Sequence, residues 1–103
     1  MKALLVVAHG SRRAESNDEV RQLTACLERQ AGAAFGYVHS AFLELAEPSI
    51  PDGLRAAVRA GASEVVVLPY FLSVGRHVVT DIPAEVEVVC REHPEVSIRI
   101  APY

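Results

Sequence analysis

Ala3-Leu4-Leu5-Val6-Val7-Ala8, running straight into His9-Gly10-Ser11-Arg12-Arg13, is the stretch on which the fold turns. A continuous apolar run that stops at a polar, glycine-containing segment is what a strand covered on both faces requires, since neither side of it meets water. Glu64-Val65-Val66-Val67-Leu68 repeats the pattern, and Pro69 closes it. Between these runs the apolar residues change period. Val20, Leu23 and Leu27 recur at helical spacing behind Ser16 and Glu19, which have the spacing of a capping box, and Gly32 is the natural stop. Pro48-Ser49-Ile50-Pro51 opens a second helix with Leu54, Ala57 and Val58 on one face and Gly61 after its end. Residues 73–80 are polar and contain glycine, and read as a loop of functional length. A third helix then starts at Thr80 or Asp81, with Pro83 in its first turn, Val86, Val89 and Cys90 facing inward, and Pro94 ending it. Residues 35–43 and 96–101 are the second and fourth strands, the second less purely apolar and so nearer an edge. Strands alternating with helices predict an α/β fold: a small open four-stranded parallel sheet with helices on both faces.

Bulk properties narrow the function. At 103 residues the chain is expected to form one domain with a modest core, and half its residues are hydrophobic, which excludes disorder. A formal charge of -3 with no basic stripe gives no attraction to nucleic acid. The apolar runs fall far short of the roughly 20 residues that span a bilayer, so no membrane segment is expected. Met1-Lys2 leads directly into a strand without signal-peptide layout. Cys26 and Cys90 lack CxxC spacing and read as free thiols of a cytoplasmic protein.

Open sheets of this class bind ligands beyond the carboxyl ends of their strands, so the residues just after each strand carry the functional information. His9 follows the first strand, Glu44 the second, and Tyr70-Phe71-Leu72 and then Gly75-Arg76-His77 the third. Two imidazoles and a carboxylate thus converge on one rim from three connections. Imidazole and carboxylate bind divalent transition metals, and both take up protons near neutral pH. A lone His after a strand is more often a hydrogen-bonded loop residue than a ligand, and Glu44 could equally cap the second helix. His39, inside the second strand, and His93, at a helix end, read as structural or solvated. Arg12, Arg13 and Arg76 flank the same rim, either as solvated surface charges or as forks for an anionic ligand, with Gly10 and Gly75 letting backbone approach it. A metal-binding centre ringed by carboxylate-binding arginines describes a site for a metal and a polycarboxylate. Residue chemistry alone stops there.

Three blocks, in order and across essentially the whole chain, resemble the small CbiX family of class II chelatases. They are His9-Gly10-Ser11-Arg12; Phe42-Leu43-Glu44-Leu45-Ala46-Glu47-Pro48-Ser49-Ile50; and Leu68-Pro69-Tyr70-Phe71-Leu72 with Gly75-Arg76-His77 and Asp81-Ile82-Pro83. The resemblance implies one chelatase domain over residues 1–103, half of a two-lobed chelatase fold, working as a homodimer that sets two half-sites around one cleft. It implies a lyase that inserts a divalent metal into the tetrapyrrole sirohydrochlorin. Cobalt is the first choice, for cobalamin biosynthesis, with iron, leading to sirohaem, next and nickel third. His9 and His77 would bind the metal and act in catalysis with Glu44; Ser11, Arg12, Arg13, Gly75 and Arg76 would hold the substrate. Leu72, Val74 and Tyr70 would contact the ring face, and Glu44 or a histidine would accept the pyrrole protons. No nucleotide is needed, and no GxxxxGK[ST] loop is present.

One departure counts against a simple transfer. Relatives of this kind continue past the fourth strand with a Pro-Leu-Gly-x-His-Pro-like stretch and a final helix, whereas here Ala101-Pro102-Tyr103 closes the sequence. The expectation is a sheet face or edge left less covered, filled by a second copy or accompanied by divergence to binding without turnover. A metal or tetrapyrrole carrier on the same rim is therefore the alternative reading. A histidine phosphatase would want Arg before His9, where Ala8 stands, and a flavodoxin-like site would want a phosphate cradle after the first strand.

Overall fold

The computed structural model describes residues 1–71 and 76–102, with the side chains of residues 76–79 outside that description. The chain runs β1 (Lys2–Ala8), α1 (Ala14–Ala31), a 3-10 turn (Gly32–Ala34), β2 (Tyr37–Phe42), α2 (Ile50–Arg59), β3 (Glu64–Pro69), α3 (Arg76–Glu92) and β4 (Ser97–Ile100). All pairings are parallel and the strand order is β2-β1-β3-β4, so the predicted α/β sheet is the one that forms. β1 is central, with Leu5 paired to His39 on one side and to Val67 on the other. β2 lies at an edge, as its mixed composition predicts.

The two-residue side-chain period of β1 divides the core. Ala3, Leu5 and Val7 point to the face covered by α2 and α3, where they meet Leu54, Ala57, Ile82, Val86 and Val89. Leu4, Val6 and Ala8 point to the other face, toward Val20 of α1 and Phe42 of β2. Helices therefore cover both faces, two on the first and one on the second. Each fully buried Leu or Val side chain contributes roughly 1.5–3 kcal/mol of transfer free energy, which is why β1 is apolar from Ala3 to the rim. Leu5→Ala should cost about 2–5 kcal/mol in urea unfolding, because the cavity opens between α2 and the sheet centre.

Two helix starts differ from the sequence reading. α1 begins at Ala14 with extended Arg13 as its N-cap and no side-chain cap, so Ser16 lies inside the first turn. The Arg13 carbonyl accepts from the Ser16 and Asn17 amides at 3.1 and 3.5 Å, starting the helix upstream of the expected capping box. α3 begins at Arg76, not at Thr80 or Asp81. Residues 76–80 are thus helical rather than loop, and Pro83 falls in the helix interior, where it has no N–H to donate. Pro83 itself is exposed. α2 starts as expected, with the Ser49 hydroxyl accepting from the Asp52 amide at 3.2 Å.

Arg55 fastens α2 to the end of α3 by a two-pronged contact, Nε to Glu92 Oε1 at 2.9 Å and Nη2 to Oε2 at 2.8 Å, and it also reaches Asp52 at 3.0 Å. The hydrogen bonds from Arg55 hold the Glu92 carboxyl below the usual carboxylate range. A carboxylate with a lowered folded-state pKa contributes stability above its unfolded value and loses it as pH falls through the folded one. Glu92→Gln should therefore lower the melting temperature by a few degrees at most at pH 7, the pair being partly exposed. Scanned toward acid, that difference should begin to shrink near the free glutamate value of about 4.3 and be gone once pH has fallen below the lowered folded value.

Candidate functional site

The rim is assembled by continuing the sheet ladder past the strand ends. The Leu43 amide donates to the Ala8 carbonyl at 2.9 Å, the Glu44 amide to the His9 carbonyl at 3.0 Å, and the Tyr70 amide to the Val7 carbonyl at 2.8 Å. Three connections are thereby held side by side. Gly10 makes the closest of these approaches. Its φ is +94°, a region L side chains rarely adopt, and a Cβ there would run into the Glu44 carbonyl oxygen. Immediately beyond, Leu45 turns the chain away with φ +66° and leaves its side chain exposed.

This junction brings two sequence-predicted site side chains, those of His9 and Glu44, into contact. His9 Nε2 lies 2.9 Å from Glu44 Oε1, with half of each side chain open to solvent. An ionised carboxylate can only accept, so beside one Nε2 donates, and in the neutral ring the other nitrogen has its lone pair free. Glu44 orients the imidazole; the helix-capping alternative falls away because Ser49 caps α2. A carboxylate–imidazole pair of this kind fixes ring orientation and raises the basicity of the free nitrogen toward a metal ion or a proton.

His9 borders two depressions. One, of about 410 Å³, opens between the ends of β1 and β3 and the start of α1, with Ser11, Asn17, Tyr70 and Phe71 among its walls. The strand order reverses between β1 and β3, which is where open α/β sheets take their ligands. The other, of about 380 Å³, is bounded by His9 with Leu43, Glu44, Asp81 and Glu85. The first offers two aromatic side chains with one carboxylate, Glu19; the second offers three carboxylates. Among the described residues, no three His, Cys, Asp or Glu side chains converge closely enough to hold a metal ion.

The remaining predicted residues distribute as follows. Ser11 is half-buried, its hydroxyl accepting from the Arg13 amide at 3.0 Å. Arg12 and Arg13 are exposed and line neither depression, Arg13 lying within 4.0 Å of Glu15. Gly75, with Leu72 and Val74, lies outside the described residues. Arg76 and His77 occupy the first turn of α3, which starts at this rim, and their side chains lie outside the description. His39 stacks on Tyr37 at the exposed β2 edge, and His93 pairs with Glu95 at 3.1 Å, so neither lines the depressions beside His9.

Sequence reasoning missed three residues. Asp81 and Glu85 stand one helical turn apart and reach the rim because α3 starts four or five residues earlier than expected. Their i, i+4 spacing ahead of Val86 and Val89 was the available signal. Asn17 is buried, and both ends of its amide bond Ser11; one asparagine in a helix gives no sequence signature of that.

With this geometry in place, comparison with known proteins is informative. The CbiX family model matches residues 3–103. The chain is 40% identical over 97 residues to the chloroplastic sirohydrochlorin ferrochelatase of Arabidopsis thaliana, covering 94% of this chain and 42% of that protein. It is 36% identical over 83 residues to the sirohydrochlorin cobaltochelatase of Methanococcus maripaludis, covering 81% of this chain and 56% of that protein. Among solved structures, the sirohydrochlorin chelatase SirB from Bacillus subtilis subspecies spizizenii, in complex with cobalt, superimposes with a TM-score of 0.87 at 31% identity, covering 98% of this chain and 42% of that chain. The chain thus spans about half or less of the length of these relatives.

Gly10→Ala tests the rim geometry directly. It should cost about 1–3 kcal/mol or more in urea unfolding, since a left-handed backbone and a carbonyl clash are imposed together. In the folded fraction, NMR of the imidazole should show the His9–Glu44 hydrogen bond lost.

Proposed function

This chain belongs to the CbiX family, and from that premise we propose that residues 1–103 form one chelatase domain that inserts a divalent metal into sirohydrochlorin. The observation that carries the reading is the His9–Glu44 pair, standing between an aromatic-walled depression at the strand-order reversal and a carboxylate-lined one. Such a partition suits a reaction between a flat organic ring and a hydrated cation.

In this reading the tetrapyrrole lies over Tyr70 and Phe71, with Ser11, Arg12, Arg13, Gly75 and Arg76 engaging its carboxylates. His9 presents its free nitrogen to the metal substrate while Glu44 keeps the ring in place. His77, on the first turn of α3, supplies the second imidazole. Two imidazoles hold a divalent ion well enough to deliver it yet release it to four ring nitrogens. Two pyrrole protons leave as the metal enters: the Glu44 carboxylate, joined to His9 at 2.9 Å and half open to solvent, would take one, and solvent water at the open rim would take the other. Asp81 and Glu85 add negative charge on the side from which a cation would come.

Cobalt remains the first choice of metal, for cobalamin biosynthesis, with iron next and nickel third; imidazole and carboxylate ligands accept all three. No nucleotide is required. A homodimer, with two half-sites facing one cleft, completes the working unit, consistent with a chain that matches 42% of a SirB-type structure. Cytoplasmic residence fits the free Cys26 and Cys90, and no helix among the described residues is long and apolar enough to cross a membrane.

Anaerobic absorbance of sirohydrochlorin mixed with cobalt(II), iron(II) or nickel(II) tests the proposal. The wild-type chain should accelerate insertion of at least one metal over the protein-free control. His9→Ala and His77→Ala should each lose about 100-fold or more of that rate, and Glu44→Gln about 10–100-fold, because the imidazole survives but its orientation does not. Binding of sirohydrochlorin with no insertion above the control would replace the chelatase with a carrier.

A further inference from the structure

The loop from His9 to Arg13 carries the proposed metal ligand and three proposed substrate contacts, yet little of its own backbone ties it down. The His9 carbonyl is fixed by the Glu44 amide, and Gly10 follows in a left-handed turn. Ser11 is held by something else. Its amide donates to Asn17 Oδ1 at 2.9 Å, and its carbonyl accepts from Asn17 Nδ2 at 2.8 Å. The two amide ends of Asn17 cannot be interchanged, because a backbone N–H only donates and a backbone carbonyl only accepts. Asn17 is 7% exposed, sits in the first turn of α1 and borders the depression beside His9.

We propose that Asn17 is a positioning residue: its side chain clamps Ser11 and so fixes the loop that presents His9 to the metal and Ser11 and Arg12 to the tetrapyrrole. The inference rests on the chelatase reading for its functional consequence and on the geometry alone for the clamp. Gly10 is the reason a clamp is needed. Glycine lacks the Cβ that restricts backbone torsions, and here it separates His9 from the helix that should anchor it. Asn17 closes that gap from the helix side as the Glu44 amide closes it from the sheet side. Both ends of the turn are then held, and the imidazole keeps its 2.9 Å contact with Glu44.

Asn17→Leu separates the clamp from mere packing, since leucine matches asparagine in shape and removes both hydrogen bonds. Far-UV circular dichroism should show α1 retained. Exchange of the Ser11 amide with solvent should quicken about 10-fold or more. Cobalt(II) affinity, read by titration of the chain, should weaken about 10–100-fold, the range expected when a partner that orients a ligand is lost. Asn17→Asp, which still offers one acceptor to the Ser11 amide, should fall between, and it serves as the second variant if the leucine form fails to fold. Wild-type Ser11 protection together with wild-type cobalt affinity in a folded Asn17 variant would overturn the clamp, whatever the activity. A wild-type chain that inserts no metal, with Ser11 protected only when Asn17 is present, would instead remove the chelatase reading and leave the clamp standing.

Discussion

The site depends on one close approach: the Gly10 backbone lies directly against the carbonyl of Glu44, where any side chain would collide. Two connections that follow neighbouring parallel strands are thereby pressed together beyond the point where the sheet ends. The ladder continues for one more rung, from the Glu44 amide to the His9 carbonyl, and the two side chains emerge within hydrogen-bonding distance. A wider separation would leave an unoriented imidazole and a solvated carboxylate, which are ordinary surface groups. The chemistry proposed for this rim follows from their being held as a pair.

What supplies the rigidity is the sheet beneath. β1 pairs on both sides, buries side chains on both faces and delivers His9 from the most constrained strand in the molecule. α1 leaves on one face, α2 and α3 on the other, and the space between their rim ends is where His9 stands. The two depressions that share His9 therefore reflect the topology, since one is lined by α1 and the other by α3. Side chains with different tasks are sorted to different sides without any change in the core.

Much of this could be read from residue order, for a physical reason. Buried parallel strands must be apolar throughout, so Ala3 to Ala8 and Val65 to Leu68 announce themselves, and His9 and Glu44 stand out as the first polar groups beyond strands. The strand order is not written locally, because pairing partners are chosen by the whole sheet. The helix starts were misread where two signals competed. Ser16 and Glu19 have capping-box spacing, yet the loop is held by Asn17 and the helix begins at Ala14. Gly75 and Pro83 look like punctuation, yet α3 runs from Arg76 through the proline, which is exposed and donates no hydrogen bond. That error hid Asp81 and Glu85, whose place on the rim depends on where the helix starts.

The central claim is that this rim offers imidazole nitrogen to a divalent metal. X-ray absorption at the cobalt edge, on the chain loaded with one equivalent of cobalt(II), addresses it without reference to turnover. The account predicts the multiple-scattering pattern of coordinated imidazole, diminished in His9→Ala and in His77→Ala. A shell of oxygen scatterers with no imidazole pattern, unchanged in both variants, would contradict it.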